Sequence, residues 1–176
     1  EAALLVKDND VVASNGFVGS VQPEALTSAL EARFLETGAP RDLTLIYAAS
    51  QGNSDGRGGG HFAPEGMLKK AILGHWNAVT ALQKLVNANK IQAYNLPQGT
   101  LAQYFRDVAA HRVGTITHVG LETFADPRVS GGRLNDVTTE DFVKVIQIDG
   151  KDQLFYPRMD INVALIRGTY ADEWGN

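Results

Sequence analysis

The sequence predicts an α/β fold: an open, mostly parallel sheet with helices on both faces plus a local β-hairpin, in one domain over residues 1–176. Three observations lead there. Apolar β-prone runs alternate with stretches whose apolar residues recur at helical spacing. The connections are short, and repeated βα units of that kind build parallel sheets covered on both faces. Asp149-Gly150-Lys151 separates two β-prone runs, which is a hairpin turn signal.

Taken in order, Glu1-Ala2-Ala3-Leu4-Leu5 reads as the tail of a helix. Residues 10–14 form a short β-prone run, followed by the glycine-containing loop Asn15-Gly16-Phe17-Val18-Gly19. Pro23 opens a helix, a position where its missing N–H is harmless. Leu26, Ala29, Leu30 and Phe34 are expected on the buried face of that helix, and Gly38-Ala39-Pro40 ends it. Residues 43–49 make a strand of the buried type, apolar apart from Thr44 and Tyr47. Residues 51–60 are polar, hold five glycines and are expected to form a mobile loop. Residues 78–88 form a helix with Val79, Leu82 and Val86 on one face. A short strand over 91–94 precedes a helix marked by Leu101, Phe105, Val108 and Ala109. Residues 115–119 form a strand, 143–148 and 153–156 flank the hairpin turn, and 161–166 form a strong strand. Beyond it, at Asp172-Glu173-Trp174-Gly175-Asn176, a further element is expected, so the chain is read as part of a longer polypeptide or as one subunit of a two-part enzyme.

Composition narrows the function. A formal charge of -4, with no basic stripe, argues against nucleic acid as a partner. The absence of cysteine excludes a disulfide, a thiolate metal site and a cysteine nucleophile. No apolar run approaches the roughly 20 residues of a membrane-spanning helix. No signal-peptide pattern is visible, and a cytoplasmic location is expected. The histidines, His61, His75, His111 and His118, include no pair at metal-ligand spacing, so no metal is expected. His75 follows Gly74, where it can line a site at a strand end, but is read first as a core or interface residue, and His111 as lying at a helix carboxyl end, where its charge suits the dipole.

The most informative stretch is Tyr94-Asn95-Leu96-Pro97-Gln98-Gly99. Proline stops the strand, glycine lets the chain turn, and Gln98 is left at the strand's carboxyl end, where ligands bind in open α/β sheets. A glutamine side chain both donates and accepts, so it can hold a carbonyl or carboxylate without adding charge. A turn glutamine wetted by solvent fits the same local pattern. Gly16 to Gly19 follow a strand and precede a helix, a context for a cradle of backbone N–H groups or for glycines needed only for turning. The stretch is not G-x-G-x-x-G, and no P-loop lysine follows. Asp126 and Arg128 can pair with each other or with a ligand, and no Ser-His-Asp order is present.

Together these motifs resemble the amino-terminal half of class I coenzyme A transferases, most closely the propionate or acetate type. The resemblance rests on Gly16-Phe17-Val18-Gly19 with Pro23-Glu24, Pro40-Arg41-Asp42-Leu43-Thr44, Gly74-His75-Trp76, Ala93 through Gly99, Arg106-Asp107, Thr123-Phe124 with Asp126-Pro127-Arg128, and Gly131-Gly132. Glu122 departs from the pattern, standing where such proteins usually carry glycine. The resemblance implies transfer of coenzyme A from a short-chain acyl-CoA to a carboxylic acid, through a covalent glutamyl-CoA intermediate. The nucleophilic glutamate is expected in the carboxyl-terminal half, so no catalytic residue is assigned here, and Glu24, Glu65 and Glu173 are not given that role. Gln98 with Gly16, Phe17, Val18 and Gly19 are the expected substrate-binding residues. Coenzyme A is a substrate and no cofactor is expected. The implied partners are the carboxyl-terminal half or a second subunit, in a homo-oligomer. An acyl-CoA hydrolase on the same fold and a non-catalytic ligand-binding domain are the alternatives.

Overall fold

A computed structural model describes residues 1–53 and 56–175. Five strands, β1 (Val11–Ser14), β2 (Leu43–Tyr47), β3 (Leu68–Leu73), β4 (Gln92–Asn95) and β8 (Val163–Leu165), form a sheet in the order β4-β3-β2-β1-β8. Every pair in it is parallel. Three more strands, β5 (Gly114–Thr117), β6 (Lys144–Ile148) and β7 (Lys151–Pro157), form an antiparallel sheet in the order β5-β7-β6. The helices are α1 (Glu24–Thr37), α2 (Thr80–Asn87) and α3 (Gln98–Ala109), with 3₁₀ turns at Ala2–Leu5 and Gly59–Phe62.

The period of two along each central strand decides which layer it touches. Val12, Leu45, Tyr47, Leu73 and Ala93 pack with Leu30 of α1 and with Leu82 and Val86 of α2. The alternate residues Ala13, Ile46, Ile72 and Tyr94 pack with Leu101 and Tyr104 of α3 and with Leu154 and Tyr156 of β7. Strand β2 is buried along its whole length, as its continuous apolar run implies. On α1 the inward stripe runs through Leu26, Thr27, Leu30 and Phe34, while Ala29 is exposed. Thr27 and Leu30 share a face at i and i+3, and Ala29 sits one residue, about 100°, away.

The hairpin turn has both central residues, Asp149 and Gly150, at positive φ of 50° and 72°. That is the twist a two-residue hairpin needs. The expected local hairpin is enlarged by β5, which pairs with β7 instead of joining the parallel sheet. The small sheet is fastened to α3. Tyr104 donates its hydroxyl to the Pro157 carbonyl at 3.0 Å and accepts the Met159 amide at 2.7 Å. Asp107 accepts hydrogen bonds from Thr115 Oγ1 at 2.7 Å, Gln103 Nε2 at 3.1 Å and Arg112 Nη1 at 2.9 Å. The strand read over 161–166 shrinks to the three residues of β8. Asn162 turns its side chain to accept the Val11 amide, and Ile166 is exposed.

Residues 51–60 differ from a loose loop. Gln51, Gly52, Gly58, Gly59 and Gly60 are buried, and the Gly59 amide donates to the Gln51 carbonyl at 2.9 Å. Ser54 and Asp55, also in that stretch, lie outside the described residues. Among the described residues, no helix is long and apolar enough to cross a membrane.

Asp126, fully buried, accepts the amides of Glu122 and Arg128 at 2.9 Å each. Arg128 Nη2 reaches the same carboxylate at 2.7 Å, and Nη1 extends to Asp152 at 2.7 Å. The Arg128 hydrogen bonds hold the Asp126 carboxyl well below the usual carboxylate range, against the opposing effect of burial. A depressed value adds stability that is complete above the ordinary aspartate value and declines only at lower pH. Asp126→Asn is therefore expected to destabilise the fold by about 2–3 kcal/mol at neutral pH, by leaving a buried network incomplete. Denaturant unfolding of both forms at pH 7 and near pH 3 checks this: the gap is expected to narrow in acid.

Candidate functional site

Because β1 to β4 and β8 are parallel, their carboxyl ends share one edge of the sheet. The chain from β1 proceeds to β2, β3 and β4 on one side, and β8 lies on the other. The strand order therefore reverses at β1, and ligands bind open α/β sheets in the crevice outside such a point. Asn15-Gly16-Phe17-Val18-Gly19 leaves β1 at this edge, and Leu96-Pro97-Gln98 leaves β4 at it.

The 16–19 loop is held in a strained shape. Val18 and Val21 have φ of 51° and 59°. Left-handed backbone at a β-branched residue is uncommon and costs roughly 1–3 kcal/mol unless the surroundings enforce it. Here they do. The Val18 amide donates to the Ser50 carbonyl at 2.6 Å, and the Gly52 amide donates to the Val18 carbonyl at 2.8 Å. Buried Gln51 sends Nε2 to the Ser14 carbonyl at 2.7 Å. Phe17 and Ser20 exchange two backbone hydrogen bonds, at 2.9 and 2.8 Å. The amides of Phe17 and Val18 are therefore engaged within the chain and are not free to cradle an anion. What the loop offers outward is the Phe17 side chain, 64% exposed, with Val18 exposed beside it.

Gln98 is not a turn residue. It is the first residue of α3, with Pro97 as the cap at φ -58°. The chain turns at Leu96-Pro97, and Gln98 stands exposed at the uncapped, positive end of the helix. Its Cγ lies 2.7 Å from where a Cβ on Gly74 would stand, so its side chain lies over the end of β3. That Cβ would also collide with the Ala48 carbonyl oxygen, so only glycine fits at 74. Two strand spacings separate β3 from β1, which puts Gln98 about 10 Å from where the 16–19 loop leaves the sheet.

A third segment reaches the same edge. The Asn95 amide donates to the Gly132 carbonyl at 2.7 Å, and the Gly132 amide to the Phe124 carbonyl at 2.7 Å. Thr123-Phe124 is thereby brought beside the exit of β4, with Phe124 exposed. Glu122, the departure from the expected glycine, has φ of 62°, a conformation glycine adopts without strain.

His61 belongs to a cluster that no sequence spacing announced. Its Nε2 lies 2.9 Å from Glu24 Oε1, and its Nδ1 lies 2.6 Å from Glu31 Oε2. Glu24 Oε2 also accepts the Gly58 amide at 2.9 Å. Glu24 and Glu31 are two turns apart on α1, the one signal available, and the histidine arrives from a distant loop. Burial pushes the ring's pKa down, but the hydrogen bonds to Glu24 and Glu31 outweigh it and raise the value above that of an ordinary histidine. His75 is exposed, not a core residue, and His111 is exposed just past the end of α3. Glu65 pairs with Lys90 at 2.9 Å, away from this edge, and Glu173 is exposed. Among the described residues, no group of three or more His, Asp or Glu is placed to hold a metal ion.

Comparison with known proteins follows the same lines. The sequence profile of the family described as coenzyme A transferase matches residues 1–176. The caffeate CoA-transferase of Acetobacterium woodii is 41% identical over 176 residues, covering 100% of this chain and 34% of that protein. The acetate CoA-transferase YdiF of Escherichia coli K12 is 40% identical over 157 residues, covering 89% of this chain and 30% of that protein. A crystal structure of the acyl-CoA transferase YdiF from Escherichia coli O157:H7, described as a thioester complex with CoA, superposes with a TM-score of 0.88 at 38% identity, over 93% of this chain and 32% of that one. The chain thus spans about a third of the length of these relatives.

Two substitutions separate the backbone constraints at this edge. Gly74→Ala is expected to destabilise the fold by about 1–3 kcal/mol, because the new Cβ meets the Ala48 carbonyl just past the buried strand β2 and backbone must shift to admit it. Glu122→Gly is expected to stay within about 1 kcal/mol of the parent, since relief of strain offsets the extra unfolded-state entropy. Denaturant midpoints of the two variants check both expectations.

Proposed function

Given that the chain belongs to the coenzyme A transferase family, we propose that its polypeptide moves coenzyme A from a short-chain acyl-CoA to an acceptor carboxylic acid. The observation that carries this reading is Gln98, an exposed uncharged donor and acceptor at the first turn of α3, facing the sheet edge from which the strained 16–19 loop also leaves. The relatives named CoA-transferases and the CoA thioester complex of YdiF support the reaction class.

In this reading a glutamate from outside residues 1–176 attacks the thioester carbonyl. The thiolate departs and an acyl-glutamyl anhydride forms. The thiolate then attacks the glutamyl carbonyl, releases the first carboxylate, and leaves a glutamyl-CoA thioester for the acceptor acid. Splitting a difficult transfer in this way lowers each barrier. This chain supplies one wall. The Gln98 amide group donates to the oxygen on which charge develops, or orients the carboxylate, with the α3 dipole adding to the effect. The exposed Phe17 and Val18 side chains give the acyl portion an apolar surface. An apolar cleft of about 570 Å³ between α3 and β8, lined by Phe105, Val108, Ile161 and Leu165 among others, supports contact with further protein, either the carboxyl-terminal half or a second subunit. The reading places the whole enzyme in the cytoplasm as a homo-oligomer, with coenzyme A as substrate and no other cofactor.

Full-length protein incubated with acyl-CoA is expected to make the second acyl-CoA only when an acceptor acid is supplied. Release of free CoA and acid without an acceptor would instead identify a hydrolase. Gln98→Ala in that protein is expected to lower kcat/KM by about tenfold or more, roughly 1.4 kcal/mol, with the unfolding midpoint little changed. Borohydride trapping after acyl-CoA treatment, followed by peptide mass mapping, is expected to find a modified glutamate beyond the position of Asn176. A modified carboxylate between Glu1 and Asn176 would contradict this division of labour.

A further inference from the structure

We infer that His61, clamped between Glu24 and Glu31, is a positioning residue that holds the 16–19 loop in its strained shape at the strand ends. The inference rests on the reading that this loop lines the CoA-transfer site, and it concerns how that site is kept in place.

The linkage is continuous. His61 lies in the Gly59–Phe62 turn. Glu24 binds the ring with one carboxylate oxygen and the Gly58 amide with the other. Gly58 bridges to Gly52, and a Cβ at 58 would come within 2.9 Å of the Gly52 Cα. The Gly52 amide then holds the Val18 carbonyl, while the Ser50 carbonyl holds the Val18 amide. From α1 to Val18, every step is a hydrogen bond or a close backbone contact. Val18 and Val21 occupy left-handed backbone that relaxes unless neighbours enforce it. Releasing Gly58 from Glu24 frees one side of the Gly52 segment, and with it the carbonyl side of Val18.

The clamp needs the protonated ring. Both imidazole nitrogens face carboxylate oxygens, and only imidazolium donates from both; a neutral ring turns a lone pair toward one carboxylate. The charged groups facing the ring are Glu24 and Glu31 from α1, with Arg57 of the preceding loop acting on Glu24. Burial raises the Glu24 carboxyl, but hydrogen bonds from His61 and the Gly58 amide outweigh it and bring it below its ordinary value. The signs follow. A raised histidine contributes fully below its ordinary value of 6.5, and the contribution is lost as pH climbs through the raised value. A depressed glutamate contributes above its ordinary value of 4.5 and loses that as pH falls through the depressed one. The clamp is therefore closed between the ordinary glutamate and histidine values and opens as pH climbs through the raised histidine value.

The test uses full-length protein with acyl-CoA and an acceptor acid, measuring kcat and KM across pH 6 to about pH 10. In parallel, NMR follows the His61 ring titration, and hydrogen exchange gives protection factors for the Val18 and Gly52 amides. In the parent protein, protection at Val18 and Gly52 is expected to fall in step with loss of the ring proton, together with an alkaline fall in kcat. His61→Gln is expected to lower kcat about tenfold at neutral pH, with a smaller change in KM, and to lose that alkaline limb, because misplacing a site wall acts on the reacting geometry. Glu31→Gln, which keeps the shape of the cluster, is expected to move the limb to lower pH. Protection at Val18 and Gly52 that ignores the His61 titration, or an alkaline limb unchanged in both variants, would overturn the inference. A parent protein that transfers no CoA would refute the functional reading instead, and the exchange experiment on that same protein still decides the clamp.

Discussion

Parallel pairing at β1 is the constraint from which the rest of the molecule follows. Val12 pairs with Leu45 on one side and Val163 on the other, so β1 is an interior strand and the strand order turns there. A parallel partner cannot be reached by a tight hairpin, so each return needs a crossover, and the crossovers supply the covering layers. The layers in turn demand apolar residues on both faces of each strand. Only loops at the carboxyl edge are then free to carry chemistry. Gln98, the 16–19 loop and Phe124 meet at one edge because of strand direction, although they are far apart in sequence.

That edge is rigid for backbone reasons more than for side-chain ones. Gly74 lets the exit of β3 pass against Ala48, and the space it leaves is taken by the Gln98 side chain. Trp76 Nε1 donates to the Tyr94 carbonyl at 3.3 Å, tying the exits of β3 and β4 together. Asn15 accepts the Arg167 amide at 3.1 Å, closing the exit of β8 onto that of β1. A site assembled from several strand ends works only if those ends do not move relative to one another, since small misplacements of a catalytic wall are expensive in rate. These contacts supply that condition without any side chain that itself reacts.

Much of this was legible in the chain, and what was missed has a common cause. Strand and helix periods depend on neighbours two to four residues apart, so the central strands, α2 with Leu82 and Val86, and the Asp149-Gly150 turn could be read directly. Gln98 could be placed at a strand end because Pro97 marks the break. That Pro97 caps α3, making Gln98 the first helical residue, is a matter of one position, within the usual uncertainty of helix ends. The pairing of β5 with β7 and the burial of Gly58 to Gly60 depend on contacts between distant segments, which leave no periodic trace. The Glu24–His61–Glu31 cluster is of the same kind. Its two carboxylates share a helix face, but nothing near His61 points toward them.

The 51–60 segment shows how composition and anchoring are coupled here. Five glycines in a polar stretch imply freedom, and an isolated segment of that composition would have it. In the folded chain Gly52, Gly58 and Gly59 stand where a side chain would crowd neighbouring atoms, and Gly52 pairs with both Gly58 and Val18. Glycine-rich sequence thus serves close approach. The cost is that such a segment has few side chains of its own to anchor it, so it depends on anchors at its rim. Gln51 fixes one end to β1, and the Glu24–His61–Glu31 cluster fixes the other to α1. The first anchor is a neutral amide, indifferent to pH, and the second is ionic. The segment is therefore held at one end by an uncharged contact and at the other by groups that titrate.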